Sequence, residues 1–354
     1  MARIQLVSAA QCFEFDELLD VRSPAEFAED HIPGAINVPV LDNAQRAQVG
    51  TLYTQVSPFE ARKVGAALIA RNIALHLEQQ FMDKPKNWRP LVYCWRGGQR
   101  SGAMAHILSQ VGWAVGQLEG GYKAYRQRVR AELQTLPASF RFRVVCGPTG
   151  SGKSRLLQAL AECGAQVLDL ENLANHRGSL LGELPNSPQP SQKGFETRLW
   201  NTLRNFAPTY PVFTEAESRK IGVLSLPDSL LHSIRQADCT HLDTGLNARA
   251  TLLLEDYDHF LQHPVLLLEK LDQLASLHSR QTLEHWRQLA EKKEWRQLVT
   301  ELLELHYDPA YKRSTHSHFV HFGQAAEVQL PQLDSTTLSQ AANHLIQAAT
   351  ESKD

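Results

Sequence analysis

The 354-residue chain has no run of 18 apolar residues, and no charged-then-apolar leader precedes Leu6. A membrane-spanning helix and a secretory signal are therefore not expected, and a cytoplasmic protein is. Charge of one sign is also scarce: 36 Lys and Arg against 38 Asp and Glu leave a net charge of −2. That balance excludes a generally basic nucleic-acid coat, so any RNA contact must be a local patch of Lys and Arg. Five cysteines, odd in number and scattered, exclude a disulfide scaffold and read as reduced thiols. Their spacing matches no zinc pattern, and Cys12, Cys146, Cys163 and Cys239 are expected to be packing residues. The chain has no internal repeat, no low-complexity tail and no Asn-Lys-x-Asp guanine reader.

What is present is two anion-gripping loops. Gly147-Pro148-Thr149-Gly150-Ser151-Gly152-Lys153-Ser154 fits G-x-x-x-x-G-K-[ST] in full. It follows the apolar run Phe142 to Cys146 and precedes a helix-like stretch from Arg155, so strand, loop and helix stand in the required order. Gly147, Gly150 and Gly152 let backbone N–H groups turn onto phosphate oxygens, the helix start adds its positive end, and Lys153 supplies a point charge. Ser154 can hold Mg²⁺; no tightly bound cofactor and no certain metal are expected. Acids at strand ends that could orient Mg²⁺ or its waters are Asp169 and Glu215, although pattern alone also fits ordinary helix-start and strand-end charges. Nucleotide hydrolysis does not follow from the loop.

The other loop, Cys94-Trp95-Arg96-Gly97-Gly98-Gln99-Arg100-Ser101, comes after the buried-strand pattern Pro90 to Tyr93 and leads into a helix pattern from Ala103. Cys94 is thus expected at a strand end facing a helix N-terminus. Backbone donors with Arg96 and Arg100 nearby should depress its pKa and favour the thiolate, and Gly97 and Gly98 let the backbone close on an anion. The Cys-x5-Arg spacing is also that of tyrosine phosphatases, but those loops usually carry His before the cysteine, where Tyr93 stands here.

Residues 140–354 read as α/β, with candidate parallel strands at 142–146, 166–170, 211–214 and 240–242. From about 256 to 315 the pattern turns helical, with Leu266, Leu267, Leu271, Leu274 and Leu277 spaced for one buried face and Trp286 and Trp295 as core anchors. A further strand is expected over 318–322, and a capped helix from Ser335. The boundary between modules falls at 129–139, a basic helical stretch. Leu184 to Ser191 is rich in turn formers, which excludes a helix and suits a loop that closes on substrate. His176, Arg177, Glu215, Glu217, Ser218, Arg219 and Lys220 follow strands and would face the crevice where open α/β sheets bind ligands. Among them Arg177, Arg219 and Lys220 suit phosphate, with a surface ion-pair network as the alternative.

Asp20-Val21-Arg22-Ser23-Pro24-Ala25-Glu26-Phe27, His31 to Asn37, and Leu118-Glu119-Gly120-Gly121-Tyr122 resemble the signatures of rhodanese domains, so residues 1–128 look like a rhodanese module. Leu173 to Ser179, Glu215 to Gly222 and His306 to Tyr311 resemble motifs of the tRNA 2-selenouridine synthase family, and this likeness covers essentially the whole chain. The resemblance implies an N-terminal rhodanese domain plus a P-loop NTPase-like parallel-sheet domain with a helical insertion. It implies a cysteine that carries sulfur or selenium, and a tRNA anticodon stem-loop with 2-thiouridine at wobble position 34 as partner. Selenophosphate would be the selenium donor, and geranyl diphosphate would give an S-geranylated intermediate. The favoured division gives selenophosphate to the Cys94 loop and geranyl diphosphate to the P-loop, with the reverse or a shared site open. A nucleotide-regulated sulfur-relay protein, using ATP or GTP as a switch and Cys94 as donor to a protein acceptor, is the alternative.

Overall fold

The structure, a computed structural model, describes residues 4–179, 181–185 and 187–351, with 314–317 described by backbone alone. The chain divides into two compact units, Met1–Glu132 with Ser191–Asn201, and Leu133–Pro190 with Thr202–Asp354.

The first unit is built on strands β1 (Gln5–Val7), β2 (Glu17–Asp20), β3 (Ala35–Asn37), β4 (Pro90–Tyr93) and β5 (Gly116–Leu118). They lie in the order β1-β5-β4-β2-β3, every pairing parallel. Parallel strands are covered on both faces and read as continuous apolar runs, and Leu91, Val92 and Tyr93 are accordingly fully buried. Leu19, Val92, Trp88, Met104, Leu108 and Trp113 belong to one core. The Asp-Val-Arg-Ser-Pro segment has two jobs. Asp20 and Arg22 form a fully buried ion pair at 2.6 Å, with the guanidinium 3.8 Å from the Tyr122 ring centroid. Ser23 and Glu26 then cap the helix Pro24–Glu29 reciprocally.

Helix Gly121–Thr135 and a 3₁₀ turn, Leu136–Ser139, occupy the stretch expected as a linker, and the division between units falls within that helix. Residues 191–201, expected in the second module from their sequence position, pack into the first unit. Arg126 bonds the Glu196 carboxylate and the Thr197 hydroxyl, Thr197 donates to Asp30 at 2.9 Å, and the Trp200 indole donates to Glu132 at 2.7 Å.

The second unit holds β6 (Phe142–Cys146), β7 (Gln166–Leu168), β8 (Val212–Glu215), β11 (Asp238–Asp243) and β12 (Ala326–Gln329) in the parallel order β12-β11-β6-β8-β7. A two-stranded antiparallel ribbon, β9 (Lys220–Ile221) and β10 (Leu224–Ser225), follows β8. The strand expected over 318–322 is not one. His318 ends the helix Asp308–His318, Phe319 is buried beside exposed Val320, and the chain turns into a 3₁₀ segment at Phe322. The strand of this region is β12, whose Ala-Glu-Val-Gln sequence lies at the sheet edge and is largely exposed, so it carries no apolar signal.

Six helices fill residues 246–318: Leu246–Asp256, Asp258–Gln262, Pro264–Asp272, Arg280–Glu291, Trp295–Leu302 and Asp308–His318. Leu267, Leu271 and Leu274 face a core with fully buried Trp286, but Leu266 (45%) and Leu277 (65%) are exposed, so the apolar stripe is narrower than its leucine count suggests. Cys12, Cys146 and Cys239 are buried as expected of packing residues, whereas Cys163, at the end of helix Lys153–Glu162, is exposed. Among the described residues no helix is long and apolar enough to cross a membrane.

Candidate active site

Cys94 leaves the C-terminal end of β4, and helix Gln99–Val111 begins five residues later, so the loop closes where two backbone directions meet. Glycines make this possible. Gly121 has φ +60°, and a Cβ there would stand 2.3 Å from the Cys94 carbonyl oxygen and 2.4 Å from the Gly97 nitrogen. Tyr122 N–H donates to the Cys94 carbonyl at 2.8 Å, and the Tyr122 hydroxyl donates to buried Asp30, so the signature residues of the fold brace the floor of the loop.

The thiol is 4% exposed. Burial alone would raise its pKa, yet the Ser101 hydroxyl at 3.3 Å, the Ser101 and Arg96 N–H groups and the Arg100 charge together bring it below the ordinary thiol value. Gln117 steadies the arrangement by donating to the Gly97 carbonyl at 2.8 Å and to the Ser101 hydroxyl at 3.1 Å. Arg100 does not stand free over the loop, because it pairs with Glu26 at 2.7 Å. Arg96 and Gly98 are exposed on the loop rim.

In the second unit Gly147–Gly152 connects β6 to helix Lys153–Glu162. Gly147 packs so tightly that a Cβ would lie 2.3 Å from the Ser151 hydroxyl, and Gly150 and Gly152 have φ of +78° and +89°. The Lys153 ammonium donates to the Gly147 carbonyl at 2.8 Å, and the Ser154 hydroxyl donates to Glu171 at 3.1 Å. Arg249 ties the loop to the helical region: its Nε donates to the Thr149 carbonyl at 2.9 Å while the same guanidinium grips Asp308 at 3.0 and 2.6 Å.

Four carboxylates gather beside Lys153 and Ser154. Asp169 caps helix Leu170–Ala174 by accepting from Asn172 N–H at 2.8 Å, and Glu215, at the end of β8, accepts from Glu171 N–H at 2.8 Å. Glu217 and Glu171 both press on Gly178, where a Cβ would meet their oxygens at 2.6 and 2.8 Å. Burial pushes all four carboxyls upward, and at Glu215 the charges of Asp169, Glu171 and Glu217 act in the same direction. Glu217, half-buried on the cleft wall, is raised to about 8 by burial and by Glu171. Glu215 Oε2 is buried with no hydrogen-bond partner.

Hard oxygen donors in this setting suit Mg²⁺, which keeps most of its waters and takes one or two protein ligands; Ser154 and Glu171 would hold it. Among the described residues no three His, Cys, Asp or Glu side chains converge into a complete metal cage.

Lys153, Ser154, Asp169, Glu171 and Glu217 line a cleft of about 1360 Å³ with His176, Arg177, Arg219 and Lys220 on its wall. His176 is buried, which lowers its pKa, and its Nδ1 accepts from Gly178 N–H at 3.1 Å. Arg177 donates to the Asp256 carbonyl and stacks 4.8 Å from the Tyr257 ring centroid. Arg219 pairs with Asp228 at 2.8 Å, both exposed, and Lys220 is exposed. The loop from Leu184, in which Asn186 lies outside the described residues, is pinned by Gln189, which donates to the Ala174 and Ile221 carbonyls and accepts from Val223 N–H.

Sequence reasoning missed Ser101, Glu26, Gln117, Glu171 and Arg249. Glu26 had a local signal, the Ser-x-x-Glu capping box. Glu171 sits inside a helix rather than at a strand end, and Arg249 acts a hundred residues from Thr149; neither carries a local pattern.

Residues 5–128 match the model of the rhodanese-like domain, and residues 140–266 match the model described as the tRNA 2-selenouridine synthase AAA domain. The tRNA 2-selenouridine synthase of Nitrosomonas europaea is 37% identical over 244 residues, covering 68% of this chain and 63% of that protein. That of Nitrosomonas eutropha is 36% identical over 244 residues, covering 68% and 62%. That of Aeromonas salmonicida is 33% identical over 266 residues, covering 74% and 70%. The chain spans a little under two thirds of the length of the two Nitrosomonas proteins. With a rhodanese-like unit and a P-loop unit each carrying its intact loop, the chain belongs to the tRNA 2-selenouridine synthase family.

Proposed function

We propose that the protein is a tRNA-modifying transferase that replaces the C2 sulfur of wobble 2-thiouridine by selenium, with selenophosphate as donor and an S-geranylated intermediate formed from geranyl diphosphate. The observation that carries this is the coexistence, in one chain of this family, of a thiol held below its ordinary pKa in an anion-binding loop and a complete P-loop backed by carboxylates. Two anion sites of different chemistry match two phosphorylated substrates of different chemistry.

In the first half-reaction the thiouridine sulfur attacks C1 of geranyl diphosphate, the C–O bond breaks, and diphosphate departs with the electron pair. Lys153 and the P-loop N–H groups face charge that grows in this step, where preorganised donors act most strongly. Mg²⁺ held by Ser154 and Glu171 would supply further positive charge there. Alkylation also turns a poor leaving group into a good one. In the second half-reaction a selenide equivalent adds to C2 and geranylthiol leaves with its electron pair; water takes the phosphoryl group of selenophosphate, so no redox change is needed. Cys94 and its loop handle the selenium.

A direct test titrates the full chain with a thiolated anticodon stem-loop, with the same stem-loop lacking the thio group, and with ATP and GTP. Preference for the thiolated RNA, with no coupling to nucleotide, is the expected outcome. Tight nucleotide binding without discrimination of the thio group would sink the proposal.

A further inference from the structure

Beside the P-loop the second unit contains a second, smaller cavity, of about 50 Å³, walled by Leu253, Leu254, Phe260, Leu298, Val299 and Leu302. It borders the phosphate cradle: Thr149 of the P-loop lies on its wall, and Thr149, Tyr257 and Tyr307 also line the large cleft that contains Lys153. The contact is close, since a Cβ on Gly150 would lie 3.1 Å from Leu253 Cγ, and Arg249 holds the Thr149 carbonyl in place.

Protein cores are packed with few voids larger than a water, so an apolar cavity bordering an anion cradle is a feature of the site. Its wall is mainly aliphatic and aromatic, with side-chain polar groups only on Thr149, Ser179, Trp295 and the two tyrosines. A nucleobase or ribose would leave its donors and acceptors unpaired there, which is costly, whereas a hydrocarbon loses nothing. The volume holds on the order of four water-sized groups, the size of a branched chain end.

We propose that this cavity receives the terminal hydrocarbon of a short isoprenyl diphosphate whose head is held by the P-loop, an inference that rests on the diphosphate reading of that loop. The cavity then measures chain length. A ten-carbon chain places its branched end inside, and a fifteen-carbon chain exceeds the space.

Calorimetry on the full chain with geranyl diphosphate, farnesyl diphosphate and inorganic diphosphate tests this. Burial is worth on the order of fourfold in affinity per methylene. Geranyl diphosphate should therefore bind at least about tenfold tighter than inorganic diphosphate. Val299→Phe, which fills the cavity, should weaken geranyl diphosphate about tenfold or more and leave inorganic diphosphate unchanged, the latter reporting an intact P-loop. Leu254→Ala, which enlarges it, should shift preference several-fold towards farnesyl diphosphate, a gain that misfolding cannot produce. If Val299→Phe weakens both probes alike or neither, and Leu254→Ala shifts nothing, the tail site is wrong. If Lys153→Ala leaves both diphosphates bound while Val299→Phe keeps its selective loss, the P-loop reading falls and the apolar site stands.

Discussion

Arg249→Ala tests whether the P-loop is held by the helical region or merely lies against it. The Arg249 side chain is 6% exposed and makes two bonds to Asp308 and one to the Thr149 carbonyl. Breaking a buried pair typically costs 3–5 kcal/mol, but Asp308 keeps 24% of its side chain in water, which moderates the cost of leaving it alone. Losing a charge-assisted bond to Thr149 adds to this, in part replaced by water. The expected loss is about 3 kcal/mol in the second unit. Arg249→Lys keeps the charge without the two-pronged grip and should lose about 2 kcal/mol. Urea unfolding followed by fluorescence of Trp286 and Trp295, with Trp88, Trp95, Trp113 and Trp200 replaced, isolates this unit, which matters because a two-unit chain need not unfold in one step. The cycle Arg249→Ala, Asp308→Asn should be strongly non-additive. A loss below about 1 kcal/mol, or simple additivity, refutes the clamp.

Gly121→Ala places a methyl against the Cys94 carbonyl in a left-handed backbone, and should cost the first unit at least about 2 kcal/mol with loss of fast Cys94 alkylation; unchanged melting and reactivity would contradict it. Arg100→Gln removes a positive charge near the thiol and should raise its pKa, while Glu26→Gln frees Arg100 from its partner and should lower it, so the midpoints of iodoacetamide rate against pH should move in opposite directions. Equal movement in one direction defeats that account. For Glu217 the folded value of about 8 lies above the ordinary 4.5, so the folded state holds a proton that the unfolded state has released between those values. Its ionisation therefore makes stability fall as pH rises from about 4.5 and level off above about 8. Glu217→Gln should stabilise the protein at pH 8 and do little near pH 4.5; a gain independent of pH would show that charge is not the cause.

Both loops were legible because their chemistry is written in consecutive residues: glycines where the backbone must turn sharply, then a thiol or a lysine at a strand end. The parallel strands were legible for the same local reason, as short apolar runs such as Leu91 to Tyr93. What escaped depends on residues far apart in sequence. Nothing near Ser191 announces that Thr197 and Trp200 pack against Asp30 and Glu132, and β12 is invisible because an exposed edge strand needs no apolar alternation. Leu266 and Leu277 illustrate the converse, apolar residues at helical spacing that the tertiary packing leaves in water. The carboxylate cluster was half visible: strand ends pointed to Glu215 and Asp169, but the acid that touches Ser154 is Glu171, set by the short helix that Asp169 caps.

The central claim is that the two loops serve separate half-reactions, and mass spectrometry of the wobble nucleoside tests it most directly. Thiolated RNA with geranyl diphosphate, and pre-geranylated RNA with selenophosphate, are each given to the parent protein, Cys94→Ala and Lys153→Ala. Lys153→Ala should slow geranylation by on the order of a hundredfold while sparing selenation of the pre-geranylated RNA. Cys94→Ala should abolish selenation and leave geranylation largely intact. Equal loss of both half-reactions in either variant, or unchanged selenouridine in Cys94→Ala, would contradict the division.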